Sequence, residues 1–316
     1  MDYIIFLVSL VVLIYGADII ISQSEKIALR FGISEYVIGA TLIALGTSLP
    51  EMAASISASY NGKFELAVSN IIGSNILNIA LVLGIVLLIA KKVKPYRDFF
   101  AKDSSWALFP VLILIVIIQS SNYTEISTFN GFALLALMGG YLLFLIKHDK
   151  ETIELDNKDK KKAKEEFNWL KSIVFIIGGF VAVVYGADYM VSSASNIAKS
   201  LGVSQWIIGV VLVSLGTSTP ELVVSVVAAY KNKADMAVGN IIGSNMANIS
   251  VALGTAAVVN PIKLDFTKYN FDITVMLIAT LMLIFITANK MYSKASGISL
   301  LVLLAIFLNH IASSVS

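Results

Sequence analysis

Long apolar segments separated by short polar loops fill almost the whole chain. A transmembrane helix requires about 20 mostly apolar residues. Ten segments meet this requirement, and they lie near residues 3–28, 34–59, 64–90, 104–121, 126–147, 168–197, 204–230, 235–260, 270–288 and 295–314. The pattern therefore predicts an all-α polytopic membrane protein with ten transmembrane helices.

The amount and placement of charge agree with this prediction and divide the chain. Hydrophobic residues make up 57% of the 316 residues and charged residues 14%, whereas soluble domains carry about 25% charged residues. The stretch 147–171 mixes many acidic and basic side chains and is typical of a solvated linker. We therefore expect a first unit at 1–147, a linker at 148–167 and a second unit at 168–316.

The basic residues predict which side of the membrane each loop faces. The loops that follow helices 1, 3, 5, 7 and 9 share one side and hold 19 of the 23 lysines and arginines, and the other loops hold 4. Because basic residues are enriched in cytoplasmic loops, we expect both termini outside the cell and the central linker in the cytoplasm.

The chain contains an internal duplication. Residues 11–84 align with 181–254 without a gap, and 35 of the 74 aligned pairs are identical, including "YGAD", "GTSxPE" and "NIIGSN". Each copy belongs to a unit of five helices, so the second copy enters the membrane from the opposite side. The prediction is two inverted five-helix repeats, an arrangement typical of secondary transporters with a site near the midplane.

Prolines and glycines inside the repeated helices predict interrupted helices. Pro50 cannot donate to the carbonyl of Gly46, and Pro220 and Gly216 repeat the arrangement in the second copy. Backbone oxygens released in this way need another partner at membrane depth, and a desolvated cation could supply it. We expect helices 2, 3, 7 and 8 to be broken and to form a midplane ion site.

Polar side chains in these helices share faces at helical spacing. The stripes consist of Thr47, Ser48 and Glu51, of Asn70, Ser74 and Asn78, and of their counterparts Thr217, Ser218, Glu221, Asn240, Ser244 and Asn248. Together they would form a cage of oxygen atoms, which suits Ca²⁺ and Na⁺ better than zinc or copper. Two glutamates supply a formal charge of −2, which matches one Ca²⁺.

Some polar residues have a structural interpretation of comparable weight. Asn75 and Asn245 fall outside the stripes, and they either bind helices together or serve the site. Asp18 and Asp188 could line an ion path, but bonding to helix ends in the opposite half is the favoured interpretation. Glu51 and Glu221 are different, because a buried acid costs about 2.5–3.5 kcal/mol in a membrane and usually marks an ion path.

The two motif pairs "GTSLPE…NIIGSNILN" and "GTSTPE…NIIGSNMAN" resemble the two alpha repeats of the calcium/cation antiporter superfamily, most closely its sodium/calcium exchanger branch. The resemblance implies alternating access with about three Na⁺ per Ca²⁺, no cofactor, and sliding of helices 1 and 6 as a pair. It also implies Ca²⁺ at Glu51 and Glu221. The flanking Na⁺ sites would use Thr47, Ser48, Ser74, Thr217, Ser218 and Ser244 with carbonyls near Ala44 and Ser214.

One position departs from the pattern of this branch. Many sodium/calcium exchangers carry an aspartate where this chain has Asn248, which here matches Asn78 of the first copy. The departure weakens any case for K⁺ co-transport and leaves both glutamates unaffected.

The leading hypothesis is a Na⁺/Ca²⁺ antiporter in the cell membrane of a prokaryote, acting as a monomer in the lipid bilayer without a nucleic-acid partner. Ca²⁺/H⁺ exchange through the same glutamates is the alternative within transport, and a cation channel is the alternative outside it. A catalytic role is disfavoured because the sequence shows no arrangement typical of an intramembrane protease. No ATP-binding loop is present, which argues against a pump.

Overall fold

The computed structural model describes residues 2–89, 98–148, 168–201 and 214–315, and helices dominate all four ranges. In chain order the elements are α1 Asp2–Phe31, α2 Glu35–Thr47, α3 Leu49–Tyr60, α4 Phe64–Ile89, α5 Phe99–Ser120, β1 Glu125–Ile126, α6 Thr128–His148, α7 Trp169–Ser200, α8 Ser214–Thr217, α9 Thr219–Tyr230, α10 Ala234–Val259, β2 Ile262–Lys263, α11 Phe266–Ala288 and α12 Lys294–Val315.

Within the described residues, eight helices are long and apolar enough to cross a membrane. The bent pair α2 and α3 adds a ninth span. The linker prediction lies almost wholly outside the described residues, and so does the first part of the segment 204–230, to which α8 and α9 belong. The chain is thus an all-helical polytopic membrane protein.

Two helices form the centre of the molecule. In the most apolar part of α4 and of α10, 78% of the residues are buried, against 28–44% in the other long helices. The more exposed helices present their apolar side chains to lipid, as expected for a membrane protein. Because α4 and α10 carry the two "NIIGSN" motifs, the most polar part of the repeat lies in the most buried part of the fold.

Helix 2 is broken where the sequence predicts it. The axes of α2 and α3 differ by 49°, and the residue between them, Ser48, has φ −84° and ψ 5°. Ser218 has nearly the same angles, φ −85° and ψ 3°, between α8 and α9. Each proline then lies in the first turn of the next helix, where its missing N–H is not needed. The predicted breaks in helices 2 and 7 are confirmed.

The predicted breaks in helices 3 and 8 are wrong. Both α4 and α10 are continuous, and each contains a π-helical segment instead, at Asn78–Leu83 and Asn248–Leu253. Neither helix contains a proline, and a glycine keeps the N–H that continues the helical hydrogen bonds. A π turn is wider than an α turn and is frequent at functional sites. Here it begins at the last asparagine of each polar stripe.

The two halves of the sequence interleave in space. Strand β1 of the first half pairs antiparallel with β2 of the second, with Glu125 opposite Lys263. A Cβ on Gly131 would lie 2.7 Å from the carbonyl oxygen of Gly254, and one on Gly297 would lie 2.7 Å from that of Gly84. The α6–α10 and α4–α12 contacts thus both join one half to the other.

Helices α1 and α7 cross at glycines. A Cβ on Gly16 would lie 2.9 Å from the carbonyl oxygen of Gly179, so only glycine permits this separation of the two backbones. A glycine also allows α10 to pack closely against α2, where a Cβ on Gly243 would lie 2.4 Å from the carbonyl oxygen of Ala40. This second contact places the polar stripe of α10 directly beside the break after α2.

Candidate cation site

The two motif glutamates lie at the start of the helices that follow the breaks. Glu51 is in the first turn of α3 and Glu221 in the first turn of α9, and each is 1% exposed. Helix N-termini carry a partial positive charge that favours a carboxylate there. Among the described residues no lysine or arginine forms an ion pair with either glutamate. Within the described residues, therefore, no protein cation compensates the negative charge of the two glutamates.

The site is built from both halves of the chain. Ser48 of the first half donates to Oε1 of Glu221 at 2.9 Å. Thr47 donates to Oδ1 of Asn240 at 3.3 Å, and Ser244 donates to the carbonyl oxygen of Ala44 at 3.5 Å. The break between α2 and α3 therefore contacts polar residues of the second half on both α9 and α10.

Several buried oxygen atoms of the predicted site residues have no hydrogen-bond partner among the described residues. They are both carboxylate oxygens of Glu51, Oε2 of Glu221, Oγ of Ser218, Oδ1 of Asn78 and Oδ1 of Asn248. A buried polar atom without a partner costs about 1–3 kcal/mol, and a charged one costs more. Orphaned oxygens of these kinds, all hard donors, are the ligands that Ca²⁺ and Na⁺ select. The residues present therefore fit a hard cation.

The carbonyl oxygen of Ala44, which was expected to be free, already accepts hydrogen bonds within its own helix. The carbonyl oxygen of Ala44 accepts from the N–H of Ser48 at 3.0 Å and from Thr47 Oγ1 at 3.3 Å. The prediction of a freed carbonyl at Ala44 is wrong, because the proline four residues after Gly46 deprives Gly46 rather than Ala44 of its donor. Ser214 begins α8, and its side chain lies outside the described residues.

The remaining predicted residues take distinct positions. Ser74 is buried at 3% exposure on α4. Thr217 is half-buried, and with Gly216, Pro220 and Pro50 it lines a cavity of about 560 Å³ beside α7. This cavity extends along α7 as far as Lys199, and Asp188 lies on its wall. The cavity therefore lies between α7 and the break before α9.

The paired aspartates have different surroundings in the two halves. Asp18 lies 2.5 Å from Lys231 of the second half, as the favoured interpretation expected. Asp188 lines the cavity beside α7 together with Thr217. The aspartates of the two "YGAD" motifs thus have different surroundings. Lys231 faces Asp18, whereas the residue aligned with Lys231 is Asn61.

Some contacts of the site were not expected from the sequence. Asn70 donates to Ser55 at 2.8 Å and to the carbonyl oxygen of Glu51 at 3.2 Å, and Asn240 donates to Ser225 at 3.0 Å. The sequence does contain a feature that indicates these contacts, because both copies have a serine four residues after the glutamate. These bonds connect the first asparagine of each stripe to the helix that carries the glutamate.

Known proteins share both the sequence and this arrangement. The family model described as sodium/calcium exchanger protein matches residues 1–147 and 171–311. The chain belongs to the sodium/calcium exchanger protein family. Membership makes it a membrane cation antiporter of that type rather than a member of a catalytic family.

Relatives of the exchanger align over nearly its full length. A membrane protein of Methanocaldococcus jannaschii, described as uncharacterized, is 36% identical over 308 residues, which is 98% of this chain and 96% of the relative. Sodium/calcium exchanger MaX1 of Methanosarcina acetivorans is 31% identical, over 97% of each chain. The solved structure of the sodium-calcium exchanger NCX_Mj soaked with 10 mM Na⁺ and zero Ca²⁺ superposes with a TM-score of 0.80 at 35% identity. That match covers 96% of this chain and 97% of NCX_Mj.

Proposed function

We propose that this exchanger moves Ca²⁺ out of the cell in exchange for Na⁺ by alternating access, with about three Na⁺ per Ca²⁺. The observation that carries the proposal is the group of orphaned buried oxygens around Glu51 and Glu221. Two uncompensated carboxylates in a region of low dielectric make an empty site costly, so the protein stabilises the loaded states. Ca²⁺ would bind centrally, between the two carboxylates.

The neighbouring oxygens supply the sites that Na⁺ would use. Thr47, Ser48 and Ser244 surround the break after α2, and Thr217 and Ser218 surround the break before α9. Three Na⁺ carry one more positive charge than one Ca²⁺. The proposed cycle is therefore electrogenic, and a membrane potential that is negative inside the cell favours Ca²⁺ extrusion.

The inverted ten-helix plan is part of the same proposal. It is supported by the alignment of 11–84 with 181–254 and by the matching geometry of Ser48 and Ser218. In this plan 204–230 forms helix 7, both termini are outside, and the linker 148–167 is cytoplasmic. We further propose that one chain is sufficient for transport.

Uptake of ⁴⁵Ca²⁺ into Na⁺-loaded proteoliposomes tests the proposal. We expect uptake on dilution into Na⁺-free medium, with pH clamped, and faster uptake when K⁺ and valinomycin remove the opposing potential. Uptake driven by a proton gradient without Na⁺ would instead assign Ca²⁺/H⁺ exchange to the same site. Uptake that needs no counter-ion would indicate a channel and contradict the proposal.

A further inference from the structure

Four asparagines join α4 to α10 in a reciprocal network, which we call the asparagine quartet: Asn75, Asn78, Asn245 and Asn248. Asn78 donates to Oδ1 of Asn245 at 3.0 Å, and Asn248 donates to Oδ1 of Asn75 at 3.1 Å. Asn75 and Asn245 in turn each donate to the other's backbone carbonyl oxygen, at 3.4 Å and 3.2 Å. Every bond of this network crosses from one half of the chain to the other.

The network fixes which way each amide faces. The Nδ2 group of Asn75 points to a backbone carbonyl, so its Oδ1 must face Asn248, and only an N–H of Asn248 can bind there. The oxygen of Asn248 then points away from Asn75 and has no partner in the described part of the chain, and the same holds for Asn78. Asn75 and Asn245 thus determine the amide orientation of Asn248 and Asn78, so that Oδ1 of each of these two residues is available to a ligand.

We propose that Asn75 and Asn245 are positioning residues that orient the amide oxygens of Asn248 and Asn78 toward the bound cation. The inference rests on the proposed function. It adds that each positioning asparagine orients a ligand asparagine of the opposite half. Asn75 acts through Asn248 of the other half and not through Asn78, its neighbour on the same helix. Each ligand amide is therefore held by the half to which it does not belong, so the ligands stay aligned only while the two halves keep their contact.

A double-mutant cycle on Ca²⁺ affinity tests this rule by titration calorimetry on the purified full chain. Partners that orient metal ligands typically contribute 10- to 100-fold in affinity, so Asn75→Ala should weaken Ca²⁺ binding about tenfold. In an Asn248→Ala background the same change should have less than about a twofold effect, because its target is gone. In the matched Asn78→Ala background it should retain its full effect.

Other variants separate positioning from folding. Asn75→Asp keeps an acceptor for Asn248, and we expect it to bind Ca²⁺ within a few-fold of the unsubstituted chain. If Asn75→Ala does not fold, Asn245→Ala in the Asn78→Ala and Asn248→Ala backgrounds runs the reciprocal cycle. Additive effects in both backgrounds, or coupling to the same-helix partner, would overturn the proposal.

The cycle also distinguishes this proposal from the proposed function. If Glu51→Gln abolishes Ca²⁺ binding while the asparagine cycle is additive, the site stands and only the positioning rule fails. If Glu51→Gln binds Ca²⁺ normally, the proposed site itself is wrong and the positioning proposal falls with it.

A second proposal rests on a different observation, the ion pairs at one end of α1. Nζ of Lys231 lies 2.5 Å from Oδ1 of Asp18. Nζ of Lys233 lies 2.5 Å from Oε1 of Glu25 and 2.8 Å from Oε1 of Glu35. In the proposed topology all of these residues are at the cytoplasmic end of the molecule. They connect α1 of the first half to the turn before α10, and we call them the cytoplasmic latch.

The duplication does not reproduce the latch at the opposite end. Of the five latch residues, Asp18 and Lys233 have charged counterparts, Asp188 and Lys63. Glu25, Glu35 and Lys231 do not, because the aligned residues are Ser195, Gln205 and Asn61. Asp188, aligned with Asp18, lines the cavity beside α7 together with Ser195. The two ends of the molecule are therefore related by sequence but differ in the ion pairs that they can form.

We propose that the cytoplasmic latch stabilises the conformation in which the cytoplasmic end of α1 is closed and the cavity beside α7 is open. A single half-exposed ion pair contributes little, but several that share one turn act together. Because the other end keeps only two of the five charges, the two access states have unequal free energies, and the one with the open cavity is favoured.

A cysteine reporter in the cavity tests the second proposal. The chain has no cysteine, so Ser192→Cys, on the cavity wall, gives a single site for a membrane-impermeant maleimide. Adding Lys231→Ala should slow its labelling severalfold, because the population shifts away from the open cavity. Lys294→Ala removes an exposed charge from the same side and should not change the rate.

The outcomes of the labelling experiment are distinct. An unchanged rate in Lys231→Ala overturns the latch proposal, and so does an equal decrease in Lys294→Ala, which would indicate a general effect of surface charge. Asp18→Asn removes the same ion pair from the other side and replaces Lys231→Ala if that variant does not fold. Neither result depends on the asparagine quartet.

Discussion

Glu51→Gln and Glu221→Gln should each abolish Na⁺-driven Ca²⁺ uptake while leaving a folded protein. Each change removes one of the two charges that match Ca²⁺, with almost no change in shape. Loss of one partner of a buried charge pair costs about 3–5 kcal/mol, or at least about 10²-fold in Ca²⁺ affinity. Uptake of ⁴⁵Ca²⁺ and titration calorimetry measure the two losses.

Thermal unfolding separates this loss from a folding defect. Both glutamates are buried, and no lysine or arginine that the structure describes pairs with them. Neutral glutamine should therefore leave the ion-free melting temperature unchanged or higher. The stabilisation that bound Ca²⁺ gives to the unsubstituted chain should disappear in the variants. Glu65→Gln, at an exposed position near the start of α4, should behave like the unsubstituted chain. Full uptake in either Glu51→Gln or Glu221→Gln would exclude that glutamate as an essential ligand.

Gly243→Ala should destabilise the protein and remove most of its exchange activity. The new Cβ would lie 2.4 Å from the carbonyl oxygen and 2.6 Å from the Cα of Ala40, and backbone atoms cannot move aside as a side chain can. Overpacking of this kind costs about 1–3 kcal/mol. Separation of α10 from α2 would also move Ser244 away from Ala44. Melting temperature and ⁴⁵Ca²⁺ uptake are the measurements.

Gly139→Ala is the matched control for the packing prediction. Gly139 lies on an exposed part of α6, and among the described residues no atom would contact the new Cβ within 4 Å. Alanine favours a helix over glycine by about 1 kcal/mol, so this variant should be as stable as the unsubstituted chain or more so. Equal stability and activity of Gly243→Ala would contradict the close approach of α2 and α10.

The sequence predicted those features that depend on local pattern. Apolar length located the spanning helices, and Pro50 and Pro220 located the two breaks, because a proline constrains the backbone wherever it occurs. The gapless repeat paired Glu51 with Glu221 and predicted that both would belong to one site. Their burial, and the absence of an ion pair with a lysine or arginine in the described ranges, were expected from the same pattern.

Features that depend on contacts between distant segments were not predictable in this way. Glycine in α4 and α10 suggested breaks, but the helices remain continuous because glycine keeps its N–H, and each contains a π turn instead. The partners of Asn75 and Asn245 lie about 170 residues away in the chain, and no helical spacing indicates them. Asp18 and Asp188 differ for the same reason, since only the fold determines that a lysine faces one of them.

Anomalous diffraction from crystals soaked in Sr²⁺ tests the central claim most directly. Sr²⁺ is a heavier ion that takes the same oxygen ligands as Ca²⁺. We predict the strongest peak between the carboxylates of Glu51 and Glu221, within about 3 Å of oxygen atoms of both, and its loss when Na⁺ is added in excess. A map without a peak between these carboxylates, or with a strong peak elsewhere that persists in Glu51→Gln crystals, would contradict the proposed site.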